Sequence, residues 1–406
     1  MRIRSTGLVL VAGLSIIVGA CSSSGSSSAP ASSAPESAAP ATAAPASSAP
    51  ASQAPASSAA SSDLKIGVVT DVGTVNDKNF NEYTYKGAKD GAAAIGAAEP
   101  PVVVPKSDAE YEPLLQSFVD QGSNIIVATG FNLVPATAKL AKANPDIWFI
   151  GVDHAPCINK AGDVDPTFAD CSGDISTLLP KYIAINYAED QAGYLAGMVA
   201  ASASKTGEIG AVGGVSLCGP CVRYMQGYNL GAKSINPNIK VHTAWVSDSD
   251  FKVGFADQAA GKTFGDQFLK QNPKVDVLFQ VAGLTGNGLI DAACAAGINA
   301  VGVDVDQHES YPASQKCIIT SAEKHLAKSV ADEIEAISAG TAKGGLTFFN
   351  ATNDGIGVSP FYDAASKLPA DMQSKIDAAT QAIAAGSVQT CPPAPDCGKT
   401  GIKIGD

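Results

Sequence analysis

The sequence predicts an α/β chain made of two doubly wound parallel-sheet lobes joined by a hinge. Three observations carry that expectation. Short, near-continuous apolar runs alternate with helical stretches, as parallel strands covered on both faces require. The alternation runs through once and then starts again further along the chain. Ahead of both runs lies a stretch without core-forming residues, so the folded part begins near Asp63.

Arg2 and Arg4 precede the apolar run "GLVLVAGLSIIVGA", which ends at Cys21. A basic start, a short apolar core and small residues before a break describe a secretory signal peptide over 1–20. The ending "VGAC" resembles a bacterial lipobox, in which Cys21 is lipidated and becomes the mature N-terminus. No later apolar run approaches the roughly 18 residues of a membrane span. The expected location is therefore the cell membrane, lipid-anchored and facing outward on its extracellular or periplasmic side. From Ser22 to Ser62 the chain is almost entirely Ala, Ser and Pro, with Pro30, Pro35, Pro40, Pro45, Pro50 and Pro55 at five-residue intervals. Such composition buries no core and predicts a disordered tether over 21–62, stiffened towards polyproline II at about 3.1 Å per residue.

In the first unit, "DLKIGVVTD" reads as a strand and Asn79 to Ala94 as a helix with Phe80, Tyr83, Ala88 and Ile95 on its apolar face. "PPVVVP" follows as a strand, "EYEPLLQSFVDQG" as a helix, "NIIVATG" as a strand, "VPATAKLAKANP" as a helix and "DIWFIGVD" as a strand. The second unit begins with the helix "EDQAGYLAGMVAASASK". It continues through "EIGAVGG", "YMQGYNLGAKSIN", "KVHTAWVS", "AAGKTFGDQFLKQ", "VDVLFQVAG", "NGLIDAACAAG" and "NAVGVDVD", alternately strand and helix. In open parallel sheets ligands bind beyond the carboxyl ends of the strands. Function is therefore sought in "DVGTVNDKNFN", "TGFN", "DHAP", "GGVSLCGPC", "AGLTGNG" and "DVDQH".

The first of these loops packs Asp71, Asn76, Asp77, Asn79 and Asn81 around Phe80. A helix cap by Asp77 or Asn76 explains one of them. An aromatic ring set among amides and carboxylates suggests a stacking platform, with Asn81 bonding the polar edge of a ligand. The formal net charge of −12 becomes −14 once Arg2 and Arg4 leave, which argues against nucleic acid as a partner. Nine cysteines less Cys21 leave eight in an exported chain, which favours disulfides over metal ligands. Eight cysteines allow 105 connectivities; closeness in sequence suggests Cys157–Cys171, Cys218–Cys221 and Cys391–Cys397, leaving Cys294–Cys317.

The stretch "VVTDVGTVNDKNFNEYTYKGAKDG" resembles the basic membrane lipoprotein family, substrate-binding lipoproteins of ABC transporters that take up purine nucleosides. Similar stretches recur in order: "QAGYLAGMVAA", "GEIGAVGG", "GYNLGAKSINP", "FQVAGLTGNGLIDAA", "AVGVDVDQ" and "SAEKHLAKSVADEI", spanning Lys65 to Gly357. The resemblance implies the type I periplasmic-binding-protein fold, a purine nucleoside or related small molecule clamped between lobes, and a membrane permease as partner. It implies no catalysis and no cofactor. By matching position, Phe80 and Tyr224 would sandwich the base, Asn81 and Asp71 would contact its edge or the loop, and Asp153, Gly283, Asp304 and Lys324 would surround the ribose. An ionised carboxylate suits vicinal hydroxyls because it only accepts. Asp153 bracing the hinge, Lys324 as a surface charge, Gly283 as a turn residue and Phe80 as core packing stand as the structural alternatives. Lobe one is expected over 63–153 with 320–345, and lobe two over 154–319 with 346–362. Crossings are expected near 153–156, 304–307 and 344–348, and 363–406 should hold a helix and a disulfide loop.

The chain departs from the family at "SLCGPCVRY", where Tyr224 replaces the usual Phe after a retained Arg223. CGPC is also the tetrapeptide of thiol–disulfide oxidoreductases, and a helix beginning near Val222 would activate such a thiol. Against that reading, Leu217 stands where those enzymes carry Trp, and the motif lies inside a two-lobed chain. A small disulfide ring that fixes the approach to Arg223 and Tyr224 is the other reading. No GxxxxGK[ST] phosphate loop occurs, and His154, His242, His308 and His325 are scattered without metal-ligand spacing. A lipoprotein that senses the same ligand for signalling, rather than delivering it for transport, fits the same sequence.

Overall fold

A computed structural model describes residues 62–406; the expectations for the signal peptide, Cys21 and most of the tether fall on residues 1–61, outside the described part. The chain opens with β1 (Ile66–Val69), α1 (Phe80–Ala94), β2 (Val102–Val103), α2 (Tyr111–Asp120), β3 (Ile125–Thr129), α3 (Val134–Ala143) and β4 (Trp148–Val152). A long loop containing α4 (Ile175–Leu178) leads to β5 (Tyr182–Tyr187). The second unit holds α5 (Glu189–Ala203), β6 (Glu208–Val215), α6 (Gly219–Ile235), β7 (Lys240–Ser247), α7 (Phe251–Phe255), α8 (Gln258–Gln271), β8 (Val277–Val281), α9 (Gly283–Ala295), β9 (Asn299–Asp304), α10 (Gln307–Ser310) and β10 (Ile318–Lys324). Then come α11 (Leu326–Ser338), β11 (Gly345–Phe349), β12 (Ile356–Val358) and α12 (Met372–Ala384).

The strands form two six-stranded sheets of matching order, β2-β1-β3-β4-β5-β11 and β7-β6-β8-β9-β10-β12. Every pairing is parallel except β10 with β12. β3, β5 and β8 are buried along their whole length, as strands with helices on both faces must be. β2 is only two residues long because prolines flank it and remove ladder donors. The sheets share a local repeat. "IGVD" at the end of β4 and "VGVD" at the end of β9 occupy the same position in each order.

The expected lobe boundaries need correction. β5, placed by sequence in lobe two, lies in the first sheet beside β4, and β10 lies in the second beside β9. β11 joins the first sheet through β5, while α11 packs on α1 of the first lobe. The chain therefore passes between lobes at 187–189, 324–326 and 349–356. The expected crossings near 153–156 and 304–307 are not crossings, and the third falls just beyond 344–348. The physical reason is the connection from β4 to β5. It carries a disulfide, Cys157–Cys171, and one turn of helix instead of a full crossover helix, so the β-α-β rhythm breaks before β5. Residues 363–406 attach to the second lobe: α12 packs on α5, and Asp406 accepts the Val241 N–H of β7 at 2.9 Å.

One helix pair holds the second lobe's charged groups in place. Added Cβ atoms at Gly193 and Gly197 of α5 would lie 2.2 and 2.1 Å from the carbonyl oxygens of Tyr224 and Tyr228. At Gly227 and Gly231 of α6 they would lie 2.0 and 1.9 Å from those of Asp190 and Tyr194. Two Gly-x-x-x-Gly faces thus let the α5 and α6 backbones touch, and they carry Glu189 towards Arg223.

Candidate functional site

The two lobes enclose about 700 Å³ of empty space, counting the open mouth. Its walls include all eight residues singled out by sequence: Asp71, Phe80, Asn81 and Asp153 on the first lobe, and Tyr224, Gly283, Asp304 and Lys324 on the second. They arrive from the carboxyl ends of strands and the starts of helices, as the fold dictates.

Asp71 follows β1. It accepts the Val72 N–H at 2.7 Å and the Tyr111 hydroxyl, while its own N–H donates to Asn81 Oδ1 at 3.1 Å. Burial raises its pKa to about 6, against the pull of Tyr111 and Val72. The Asn81 amide donates to Thr74 O at 3.4 Å, so its side chain ties the loop together from both ends. Asp77, two residues before the N-cap Asn79, takes the N–H groups of Asn79, Asn81 and Glu82 at 2.9, 2.9 and 3.1 Å and so does the work of a cap for α1. Phe80, the first helical residue, is left half-buried with its ring at the cavity.

Asp153 and Asp304 sit at equivalent strand ends, with φ of 60° and 64°. Left-handed backbone is costly for a residue with a Cβ and collects at functional sites. Here it turns a carboxylate into the cleft from each lobe. Both reach for Lys324, whose Nζ lies 2.6 Å from Asp153 Oδ2, 3.3 Å from Glu189 Oε1 and 3.8 Å from Asp304 Oδ1. The same nitrogen lies 5.3, 5.4 and 5.5 Å from the ring centroids of Tyr187, Phe80 and Tyr224. Burial works against the ammonium charge, but the three carboxylates outweigh it and hold Lys324 above the usual lysine range. Burial raises Asp304 despite the opposing pull of Lys324. Asp153 is likewise raised by burial, with Lys324 opposing. One of its oxygens, Oδ1, is buried without a partner.

Tyr224 is fully buried; its hydroxyl donates to Asp304 Oδ1 at 3.2 Å, with Ala322 O also within 3.3 Å. That bond supplies the partner which a tyrosine at this position needs. Gly283 opens α9 with φ of 52°, and a Cβ there would meet Phe255 O at 3.3 Å. The CGPC cysteines form a disulfide, as do the three other expected pairs. Cys218 Sγ accepts the Cys221 N–H at 3.1 Å and caps α6, and the small ring with Pro220 forms part of the cavity wall.

Sequence reasoning missed Glu189. It is 1% exposed, is held by Arg223 Nε at 2.6 Å and lies next to Lys324. Burial alone would raise its pKa, yet Arg223 and then Lys324 bring it below the usual glutamate range. It also missed the aromatic mouth, where Phe131 of the first lobe meets Phe251 of the second edge to face at 5.7 Å and Phe251 stacks on Phe255 at 6.2 Å. The signals were an acid at the first position of a glycine-striped helix and a phenylalanine in "TGFN".

The family model described as ABC transporter substrate-binding protein PnrA-like matches residues 64–389. The ABC transporter nucleoside-binding protein BmpA of Lactococcus lactis is 29% identical over 77% of this chain and 87% of its own length. Basic membrane protein A1 of Borrelia garinii is 29% identical over 66% of this chain and 70% of its own. Among solved structures, a solute-binding protein of an ABC transporter system from Aeropyrum pernix shares the fold, with a TM-score of 0.65 at 23% identity over 80% of this chain and 92% of that one. The matching family and the Lactococcus relative are described as binding proteins of ABC transporters, not as enzymes. With its two parallel-sheet lobes and the cleft between them, the chain belongs to the ABC transporter substrate-binding protein PnrA-like family.

Proposed function

We propose that this protein is the lipid-anchored, outward-facing binding component of an ABC importer and that its ligand is a purine nucleoside. The observation that carries the reading is the pair Asp153 and Asp304, one from each lobe, meeting at Lys324 beside the rings of Phe80 and Tyr224. Carboxylates that only accept suit vicinal ribose hydroxyls, and the free Asp153 Oδ1 is such an acceptor. Aromatic rings at the same cavity suit a flat base. The name of the Lactococcus relative, a nucleoside-binding protein, points the same way.

The mechanism is hinge closure. Contacts that cross the cleft include Asn287 Nδ2 to Asp77 O at 3.1 Å, Asn79 Nδ2 to Val303 O at 3.3 Å and Ser310 Oγ to Lys78 O at 2.8 Å. These, with Phe131 on Phe251 and Lys324 on Asp153, belong to the closed form and break when the lobes part. A ligand that touches both lobes favours closure by its differential affinity for that form, and the permease then reads the closed shape.

Calorimetry with adenosine, guanosine and inosine, set against the free bases and ribose, tests the ligand. At least one purine nucleoside should bind more tightly than its separate parts. Binding of none of the three would sink the nucleoside reading and leave the family and fold intact. Cys21→Ser should move the protein from the membrane to the soluble fraction; continued membrane retention would remove the lipid anchor from the proposal.

A further inference from the structure

The family match ends at residue 389, yet residues 390–398 fold back onto the two helices that carry Glu189 and Arg223. Thr390 Oγ1 donates to the carboxylate of Asp190 in α5. On α6, the buried Gln226 is gripped from both ends: its Nε2 donates to Asp396 O at 2.8 Å and its Oε1 accepts the Gly398 N–H at 2.9 Å. Gly398, with φ of 72°, lies flat against the Arg223 side chain, where an added Cβ would stand 3.1 Å from both Cγ and Nη1. The Cys391–Cys397 disulfide closes this loop. Arg223 in turn donates to Glu189, and Glu189 neighbours Lys324 in the cleft.

We propose that the C-terminal disulfide loop is a positioning element of the ligand cleft: it presses Arg223 onto Glu189 and so seats Lys324. The loop touches the second partner of a buried charge pair from behind, at the side where Arg223 would otherwise meet water. Water there would screen the pair and free the guanidinium to move. The effect on ligand affinity rests on the nucleoside reading; the effect on Glu189 does not.

The test uses the full chain with Cys391→Ser/Cys397→Ser, with Gly398→Ala as a second variant, whose Cβ at φ of 72° is strained and meets Arg223, so that the loop lifts away from that side chain. Asp406→Asn is the control, because it loosens the tail at β7 without touching Arg223. The first readout is NMR titration of the labelled Glu189 carboxyl in the ligand-free protein. Around that carboxyl stand Arg223 from α6, Lys324 from β10, Asp153 and Asp304 from the ends of β4 and β9, and Asp190 beside it. Both loop variants should move its titration upward by about one pH unit, with the control unchanged. The second readout is adenosine affinity, expected to fall about 3- to 10-fold in the loop variants and further at pH 5.5 than at pH 7.5. A Glu189 titration unmoved in both loop variants overturns the proposal, and so does an equal shift in the control. A shifted Glu189 in a protein that binds no nucleoside upholds the positioning role and refutes the ligand instead.

Discussion

Lys324→Met removes the cation that faces three buried carboxylates while keeping most of the side-chain volume. The Lys324 side chain is 3% exposed, and those of Asp153, Glu189 and Asp304 are 7%, 1% and 12% exposed, so water repays little of the loss. Breaking a buried pair from one side costs about 3–5 kcal/mol. The separations of 2.6, 3.3 and 3.8 Å mean that all three carboxylates share in it. Arg223 remains, but it serves Glu189 alone at close range. A chain of this size loses roughly 2 °C of thermal midpoint per kcal/mol, so a fall of about 6–10 °C is expected at pH 7.5.

The sign of the pH dependence follows from linkage. Without the ammonium, the folded-state pKa values of Asp153 and Asp304, already raised by burial, rise further. A raised carboxyl contributes stability that is full at low pH and is lost as pH climbs through the folded-state value. The deficit of the variant should therefore shrink to about half at pH 5. Calorimetric melts at the two pH values read this directly. Adding Asp153→Asn to Lys324→Met should cost almost nothing more, giving a coupling energy of about 2–3 kcal/mol in the double-mutant cycle. A deficit below about 1 kcal/mol at pH 7.5, or one equal at both pH values, would refute the view of Lys324 as the charge centre of the cleft.

Other perturbations test the supports of the same site. Gly197→Ala places a Cβ about 2.1 Å from Tyr228 O and should cost about 2–3 kcal/mol in urea unfolding; an unchanged midpoint would mean α5 and α6 are not in backbone contact. Cys218→Ser/Cys221→Ser opens a small ring and should lower stability by only about 2 kcal/mol. The same change should weaken adenosine binding several-fold in calorimetry, and full affinity would show that the ring does not shape the cavity wall. Cys294→Ser/Cys317→Ser opens a much longer loop, with a sequence separation of 23, and should cost about 3.5 kcal/mol; a loss below that of the CGPC pair would contradict the loop-entropy argument. Asp71, raised from 3.8 to about 6, withdraws about 3 kcal/mol of stability as pH rises between those values. Asp71→Asn should flatten the stability profile from pH 4 to 6.5, and an undiminished slope would place that titration elsewhere.

What was legible in the sequence and what was not divides by the range of the physics. The loops after parallel strands are local features, and the residues taken from the first of them, with those the family resemblance added, line one cavity. Disulfide pairing was nearly local too. The lobe boundaries failed because "YIAINY", which forms β5, was not read as a strand: a loop with one turn of helix precedes it instead of a crossover helix, and nothing short-range marks a buried apolar run as belonging to one sheet or the other. Glu189 was missed for a deeper reason. At the start of α5 an acid is what any helix favours, since it complements the dipole. Its place in the buried charge cluster appears only when Arg223 from α6 and Lys324 from β10 are set beside it. Yet "GYLAG" in α5 and "GYNLG" in α6 share one glycine spacing, and two such faces packed together oppose Glu189 to Arg223. The same reasoning settles CGPC. A tetrapeptide read alone suggests reactive thiols; at the head of α6, with Arg223 two residues beyond it, it is a disulfide whose Cys218 sulfur caps the helix that carries that charge.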